Sequence, residues 1–299
     1  MMSFYLVALL VFFVSAPAMA GESQFAFLYT TDLLPKEQKE IEQWVTWRHA
    51  KIAGSYDLLE GKTAYEYGIS DDFQLAFYAS YAWTHAYKNG PFGATTAAEQ
   101  FGYDSPRSDE NYHAWRFIGF SVESIYRVLS PYTSPLGVAL YLEPTIGNKF
   151  AEIESRVILQ KNFLDDTLVF AFNFTYAPEF RLLPSDEGGA GRAWQEEVDV
   201  NYALAASYRV ASNWFAGLEL LNEREFSSLG FSDLANSGYY LGPNFHYGGK
   251  EFFVTGTFLR QLPWATVHAA TVPGAVVDNL DFDNDFEKYR VRFKFGFYL

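Results

Sequence analysis

The sequence has no cysteine. Disulfides, thiolate metal sites and cysteine nucleophiles are therefore excluded. It also lacks long apolar runs. Beyond the N-terminus no stretch of about 18 apolar residues occurs, so a helical membrane span is excluded. Positive charge is scarce: 22 Lys and Arg stand against 36 Asp and Glu, and the net charge of -14 argues against general nucleic-acid binding. What the chain has in abundance is aromatic side chains, 19% of all residues. One soluble core would struggle to hide so many rings. A membrane barrel places them on its lipid face and in two interfacial girdles.

Residues 1–20 read as a signal peptide. Phe4 to Val14 is apolar, and Ala18 and Ala20 form the small-x-small pattern that a signal peptidase cleaves after. The segment carries no charged side chain, so the mature chain keeps its net charge. Residues 21–39 form a leader. Phe25, Phe27 and Tyr29 alternate as in a short strand before Pro35 breaks the pattern. The leader could lie in the periplasm, plug a lumen or add a strand.

From Glu40 to Leu299 the chain alternates with period two, which puts successive side chains on opposite faces of a strand. The clearest case is the end of the chain. Tyr289, Val291, Phe293, Phe295, Phe297 and Leu299 make an apolar face, and Arg290, Arg292 and Lys294 lie on the other. Phe73 to Thr84 repeats the pattern, and a slip near Phe117 to Phe120 suggests a bulge. About twelve strands result, with fourteen as the alternative, both within the even-numbered range of membrane barrels.

Loop lengths support the same class. With both ends of the barrel in the periplasm, connections alternate outward and inward. The inward ones are short: 70–72, 130–135, 162–166, 211–213 and 248–250. The long ones, 88–111, 178–193 and 263–285, all fall outward. Short periplasmic turns and long extracellular loops characterise outer-membrane barrels. The predicted fold is thus all-β: a transmembrane, antiparallel, up-and-down β-barrel over residues 40–299.

The terminal strand resembles the C-terminal signature of Gram-negative outer-membrane proteins, with Leu299 where that signature carries Phe. The resemblance implies recognition by the barrel-assembly machinery. The segments Glu40-Ile-Glu-Gln-Trp-Val-Thr-Trp-Arg48, Glu66-Tyr-Gly-Ile-Ser-Asp-Asp-Phe73 and Glu143-Pro-Thr-Ile-Gly147 resemble a family of uncharacterised outer-membrane barrels. That family is distantly similar to transporters of the phenol meta-pathway type. These motifs imply a barrel in contact with outer-membrane lipid and lipopolysaccharide, and no substrate.

The charged face is expected to line the lumen. It comprises Glu40, Glu42, Arg48, Glu66, Glu143, Glu152, Glu154, Arg156, Glu197, Asp199, Arg209, Glu219, Glu223, Arg290, Arg292 and Lys294. Two readings follow: a porin-like channel for small solutes with selectivity set by these charges, or a sealed barrel whose charges pair across a narrow lumen. Closure of the barrel predicts cross-strand ion pairs between Glu40 and Glu42 and the cations Arg290, Arg292 and Lys294.

Enzymatic barrels are the rival class. Of the five histidines, His49, His85, His113, His246 and His268, the pair His85 and His113 flanks a loop bearing Asp104, Ser105, Ser108 and Asp109. Rim histidines at an aqueous interface are the simpler reading, and the protein is expected not to be an enzyme. Asp281-Phe-Asp-Asn-Asp285 holds carboxylates suited to calcium but lacks the Gly and distal Glu of a helical calcium loop. It reads as an acidic solvated loop. Gly188-Gly-Ala-Gly191 has no helix pattern after it and reads as a flexible loop rather than a phosphate cradle. No resident cofactor or metal is expected.

Overall fold

A computed structural model describes residues 22–299 apart from 52, 185–190, 266–275, 278–279 and 284. The predicted signal peptide and His268 lie outside the described residues. The alternating segments become strands: β1 Lys39–His49, β2 Ser55–Ser70, β3 Phe73–Tyr87, β4 Tyr112–Leu129, β5 Gly137–Gly147 and β6 Phe150–Phe163. The second half comprises β7 Leu168–Pro184, β8 Arg192–Ala211, β9 Trp214–Phe226, β10 Leu234–Gly248, β11 Phe252–Leu262 and β12 Tyr289–Tyr298.

Neighbours in sequence pair antiparallel, and β1 pairs with β12, so twelve strands close into a barrel with no free edge. The closing register runs from Glu40 opposite Tyr298 to His49 opposite Tyr289. Both termini of the barrel lie at one end, here the terminal end. Connections there are short, and those at the far end include 88–111 and 263–288. Among the described residues no helix is long and apolar enough to cross a membrane.

The outer face is apolar. Phe77, Leu140, Leu142, Ile153, Leu204, Leu218, Phe293 and Phe297 are exposed on it. Their sequence neighbours Tyr78, Tyr141, Glu143, Ala205, Glu219 and Lys294 are buried in the interior. This is the period-two division that lipid outside and a polar lumen inside impose.

The slip in β4 is a bulge. Ser80 pairs with Gly119 and Tyr81 with Phe117, which leaves Ile118 without an opposite residue. Beyond it Gly119 faces Gly147 on β5. A Cβ on Gly147 would meet the Ile118 carbonyl oxygen at 2.0 Å, so the two backbones approach as only glycine allows.

One expected loop is shorter than its sequence suggested. Residues 178–193 read as a loop because Pro178 cannot donate to a ladder. The strand continues to Pro184, because β6 and β7 interrupt their pairing between Glu152/Glu179 and Ser155/Tyr176. Pro178 sits in that gap and still lies opposite Val198 of β8.

Residues 22–38 enter the terminal end of the barrel. Phe25 and Leu28 pack against the inward residues Val169, Ala171, Ala205, Leu221, Tyr240 and Leu259. Leu33 packs against Ile125, Ala139, Tyr141 and Ile158. Burial of a Leu or Phe side chain is worth about 1.5–3 kcal/mol, so these contacts hold the leader firmly.

Candidate functional site

The leader's backbone would be stranded in the interior without partners, since it joins no sheet. Side chains on the barrel wall supply them. Glu219 of β9 accepts from the N–H groups of Ala26 and Phe27, each at 2.9 Å. Asn173 of β7 accepts from the Tyr29 N–H at 2.7 Å and donates to its carbonyl at 2.9 Å. Gln160 of β6 accepts from Thr31 N–H at 2.7 Å, and Gln74 of β3 from Leu34 N–H at 2.7 Å. Asn244 of β10 donates to the Gln24 carbonyl at 2.8 Å. The result is a floor across the barrel, tied to five separate strands.

Above this floor lies a cavity of about 310 Å³. Phe27 of the leader and Trp44 of β1 form part of its base. Arg48, Glu152, Glu154, Arg156, Asp199, Glu223, Arg290 and Arg292 line its wall. Residues 88–111 fold inward as a roof. Glu99 forms an ion pair with Arg181 of β7, and Gln100 donates to Glu60 of β2 at 2.7 Å. Phe101 anchors the segment in a cluster with Tyr56, Leu58, Ala82, Ala86, Tyr112 and Ala114. Burial pushes the Glu99 carboxyl up, but the Arg181 and Arg48 guanidinium groups outweigh it and hold it below the usual carboxylate range.

Of the remaining sequence-derived residues, Glu197 sits near the roof and the others lower on the wall. Glu42 lies 3.2 Å from Lys294, which also contacts Glu22 of the leader at 2.6 Å. Glu40 is fully buried beside them. Glu66 accepts from Gln74 at 2.6 Å, and Glu143 accepts from Ser121 at 2.5 Å and pairs with Lys62 at 3.2 Å. Glu197 lies 3.7 Å from Arg181, and Arg209 donates to the Asp166 carbonyl at 3.2 Å.

The predicted closure pairs form only in part. Lys294 meets Glu42, but Arg290 pairs with Glu223 and Glu287. Arg292 bonds Thr46 Oγ1 at 2.7 Å and the Ala26 carbonyl at 3.2 Å. The reason is height. Arg290 lies opposite Arg48, six residues along β1 from Glu42, and at roughly 3.3 Å per residue that separation is about 20 Å.

Glu60, Lys62, Glu179, Arg181, Glu225 and the roof residues were absent from the sequence-derived set, yet all line the cavity or its mouth. A signal existed for the strand residues among them: Glu60 and Lys62 are in step with Glu66, and Glu225 with Glu223. Glu179 and Arg181 continue the alternation of Asn173, Thr175 and Ala177 past the proline that masked it. Glu99 carried none, because a loop has no period.

His85 and His113 lie opposite each other, with ring centroids 4.5 Å apart. They share the outward row that continues through Asp57 and His49, and His49 Nδ1 lies 2.8 Å from Asp57. Asp104 turns the other way and bonds the Tyr112 hydroxyl and Arg116. Asp104 therefore lies on the face opposite these histidines, and the carboxylate beside His49 and His85 is Asp57. Asp283 accepts from the N–H groups of Ser237, Asp285 and Phe286, so its oxygens brace the loop.

A closed twelve-stranded antiparallel barrel with an apolar exterior and a charged interior defines the class: this is an outer-membrane-type β-barrel. The chain belongs to the family of unknown function DUF6662, whose model matches residues 17–299. Among solved structures, the COG4313 outer membrane channel from Pseudomonas putida F1 matches with a TM-score of 0.55 at 7% identity. The match covers 90% of this chain and 98% of that one. The NanC porin matches with a TM-score of 0.48 at 8% identity, over 86% of this chain and 98% of that one. Likeness at such identity concerns the fold alone. No curated protein sequence matches the chain.

Proposed function

We propose that the protein is an outer-membrane channel for passive passage of small polar solutes, with the leader as a removable floor. The terminal end would face the periplasm and the far end the exterior, after removal of residues 1–20. The apolar outer face, the short terminal-end turns and the closed sheet support that placement.

The observation that carries the reading is the 310 Å³ charged cavity between leader and roof. A barrel built only for structure would have its interior filled by side chains. The leader is held by side-chain bonds to its backbone rather than by a sheet ladder. Its departure therefore costs those bonds and the burial of Phe25, Leu28 and Leu33, but breaks no pairing of the barrel's own sheet. The sixteen residues expected in the lumen would then set the field along the path.

Single-channel recording in planar bilayers tests the proposal. The mature chain is expected to show rare openings, and a chain lacking residues 22–38 a steady conductance. Silence from both proteins, each shown folded, would establish a sealed barrel.

A further inference from the structure

At the terminal end of the interior, two of the lumen residues form a carboxylate group with the leader. Glu22 of the leader and Glu40 and Glu42 of β1 bring carboxylate oxygens within 4.8 Å of one another. Lys294 contacts Glu22 and Glu42 but forms no ion pair with Glu40. Three carboxylates thus face one ammonium, which leaves an excess of two negative charges. A fourth carboxylate, Glu66, lies directly opposite Glu40 on β2.

Glu40 adds a separate observation. It is 0% exposed, and neither of its carboxylate oxygens has a hydrogen-bond partner. A buried carboxylate without a donor is costly, and proteins satisfy it with a proton, a cationic side chain or a metal ion. Here the nearby cationic side chain is already shared between the other two carboxylates.

We infer that Glu22, Glu40 and Glu42 form a calcium site that fastens the leader to the barrel wall. The chemistry fits a hard divalent cation: all three ligands are carboxylates, and two positive charges cancel the excess. Burial favours calcium over magnesium, which dehydrates reluctantly and keeps several waters of its own. Glu22 comes from the leader and the other two from β1, so the ion would bridge segments that share no backbone pairing. Releasing it would weaken the floor at the edge nearest the barrel's closing seam. The site stands independently of whether the barrel conducts.

Terbium luminescence tests the inference, with Trp44 and Tyr29 beside Lys294 as sensitisers. The folded mature chain in detergent, stripped with chelator, is titrated with terbium, which is then displaced with calcium or magnesium. Saturable luminescence, displaced by calcium at lower concentration than by magnesium, is expected. Calcium should also slow proteolysis of the leader.

Glu40→Gln should weaken calcium binding by roughly tenfold or more. Should that variant fail to fold, Glu22→Gln decides, because the leader is no part of the barrel wall. No saturable signal in the native chain overturns the inference. So does a signal unchanged in Glu22→Gln, or leader protection that follows pH but ignores calcium, which would assign the charge balance to protons.

Discussion

Asn173 holds both backbone groups of Tyr29, accepting its N–H at 2.7 Å and donating to its carbonyl at 2.9 Å. One wall side chain thus replaces the two ladder bonds a strand neighbour would have supplied. The Tyr29 hydroxyl reaches further, to Glu123 on β4 at 2.7 Å. Tyr29 therefore ties the leader to two separate strands of the wall.

Asn173→Leu removes both bonds and leaves a buried N–H and carbonyl without partners. Each unsatisfied group costs about 1–3 kcal/mol, so leader docking should weaken while the barrel stays folded. Channel openings should become more frequent, and a protease should cut between residues 22 and 38 faster than in the native chain. Unchanged cleavage and unchanged gating in a folded variant would show that the leader is held elsewhere.

The roof should respond to acid. The Glu99 carboxyl is held below its usual value of 4.5, with burial opposing the shift and Arg181 and Arg48 outweighing it. A carboxylate with a depressed folded-state pKa stabilises the closed roof above its free pKa, and that contribution is lost as pH falls through the depressed value. The roof should therefore stay closed at neutral pH and loosen only below 4.5. Conductance of a leader-deleted barrel should rise in that acid range. In Glu99→Gln the rise should be absent and the neutral conductance already high. An acid response that survives the substitution would place the titrating group elsewhere.

Parts of this architecture were legible in the sequence because one environment imposes them. Away from the polar row at the far end, outward side chains share one apolar face, so Phe293, Phe295 and Phe297 announce their face directly. The interior has no single environment. Near the terminal end Val169, Ala171 and Ala205 point inward in one cluster with Phe25 and Leu28, and above it Glu152 and Asp199 point into the cavity. An inward apolar residue looks like a failed alternation until its partner is known, and that partner is a leader over a hundred residues away. In β11 both faces are apolar and alternation gives no facing: Phe253 and Leu259 point inward, while Phe252 and Phe258 point outward. The height of charges along the barrel was hidden for another reason. Alternation reports a face, and only register reports which residues share a level.

Register itself can be tested at the bulge. Gly119 and Gly147 face each other beyond Ile118, and a Cβ on either would meet a carbonyl oxygen of the neighbouring strand at 2.3 Å or less. Gly147→Val should break the β4–β5 ladder locally or shift its register, at a cost of about 1–3 kcal/mol. Thermal unfolding followed by circular dichroism should show a lower midpoint. Gly230→Val, at an open position where the nearest atom lies 3.9 Å away, should leave it in place. Equal behaviour of the two would remove the steric argument.

The last test concerns selectivity. Arg292 lines the cavity and bonds to Thr46 and to the Ala26 carbonyl, with no ion pair to a carboxylate among the described residues. Its guanidinium stacks over Phe27 of the floor, 4.1 Å from the ring centre. Arg290, by contrast, is neutralised by Glu223 and Glu287. An unpaired charge acts on a passing ion, and a paired one largely cancels within its own contact. Arg292→Gln in a leader-deleted barrel should therefore shift the reversal potential in a salt gradient towards cations. Arg290→Gln should disturb folding more, because it leaves the half-buried Glu223 without its cation and the buried Glu287 with Arg48 alone. If Arg292→Gln leaves the reversal potential unchanged while current still flows, ions do not pass this side chain, and the path through the cavity must be redrawn.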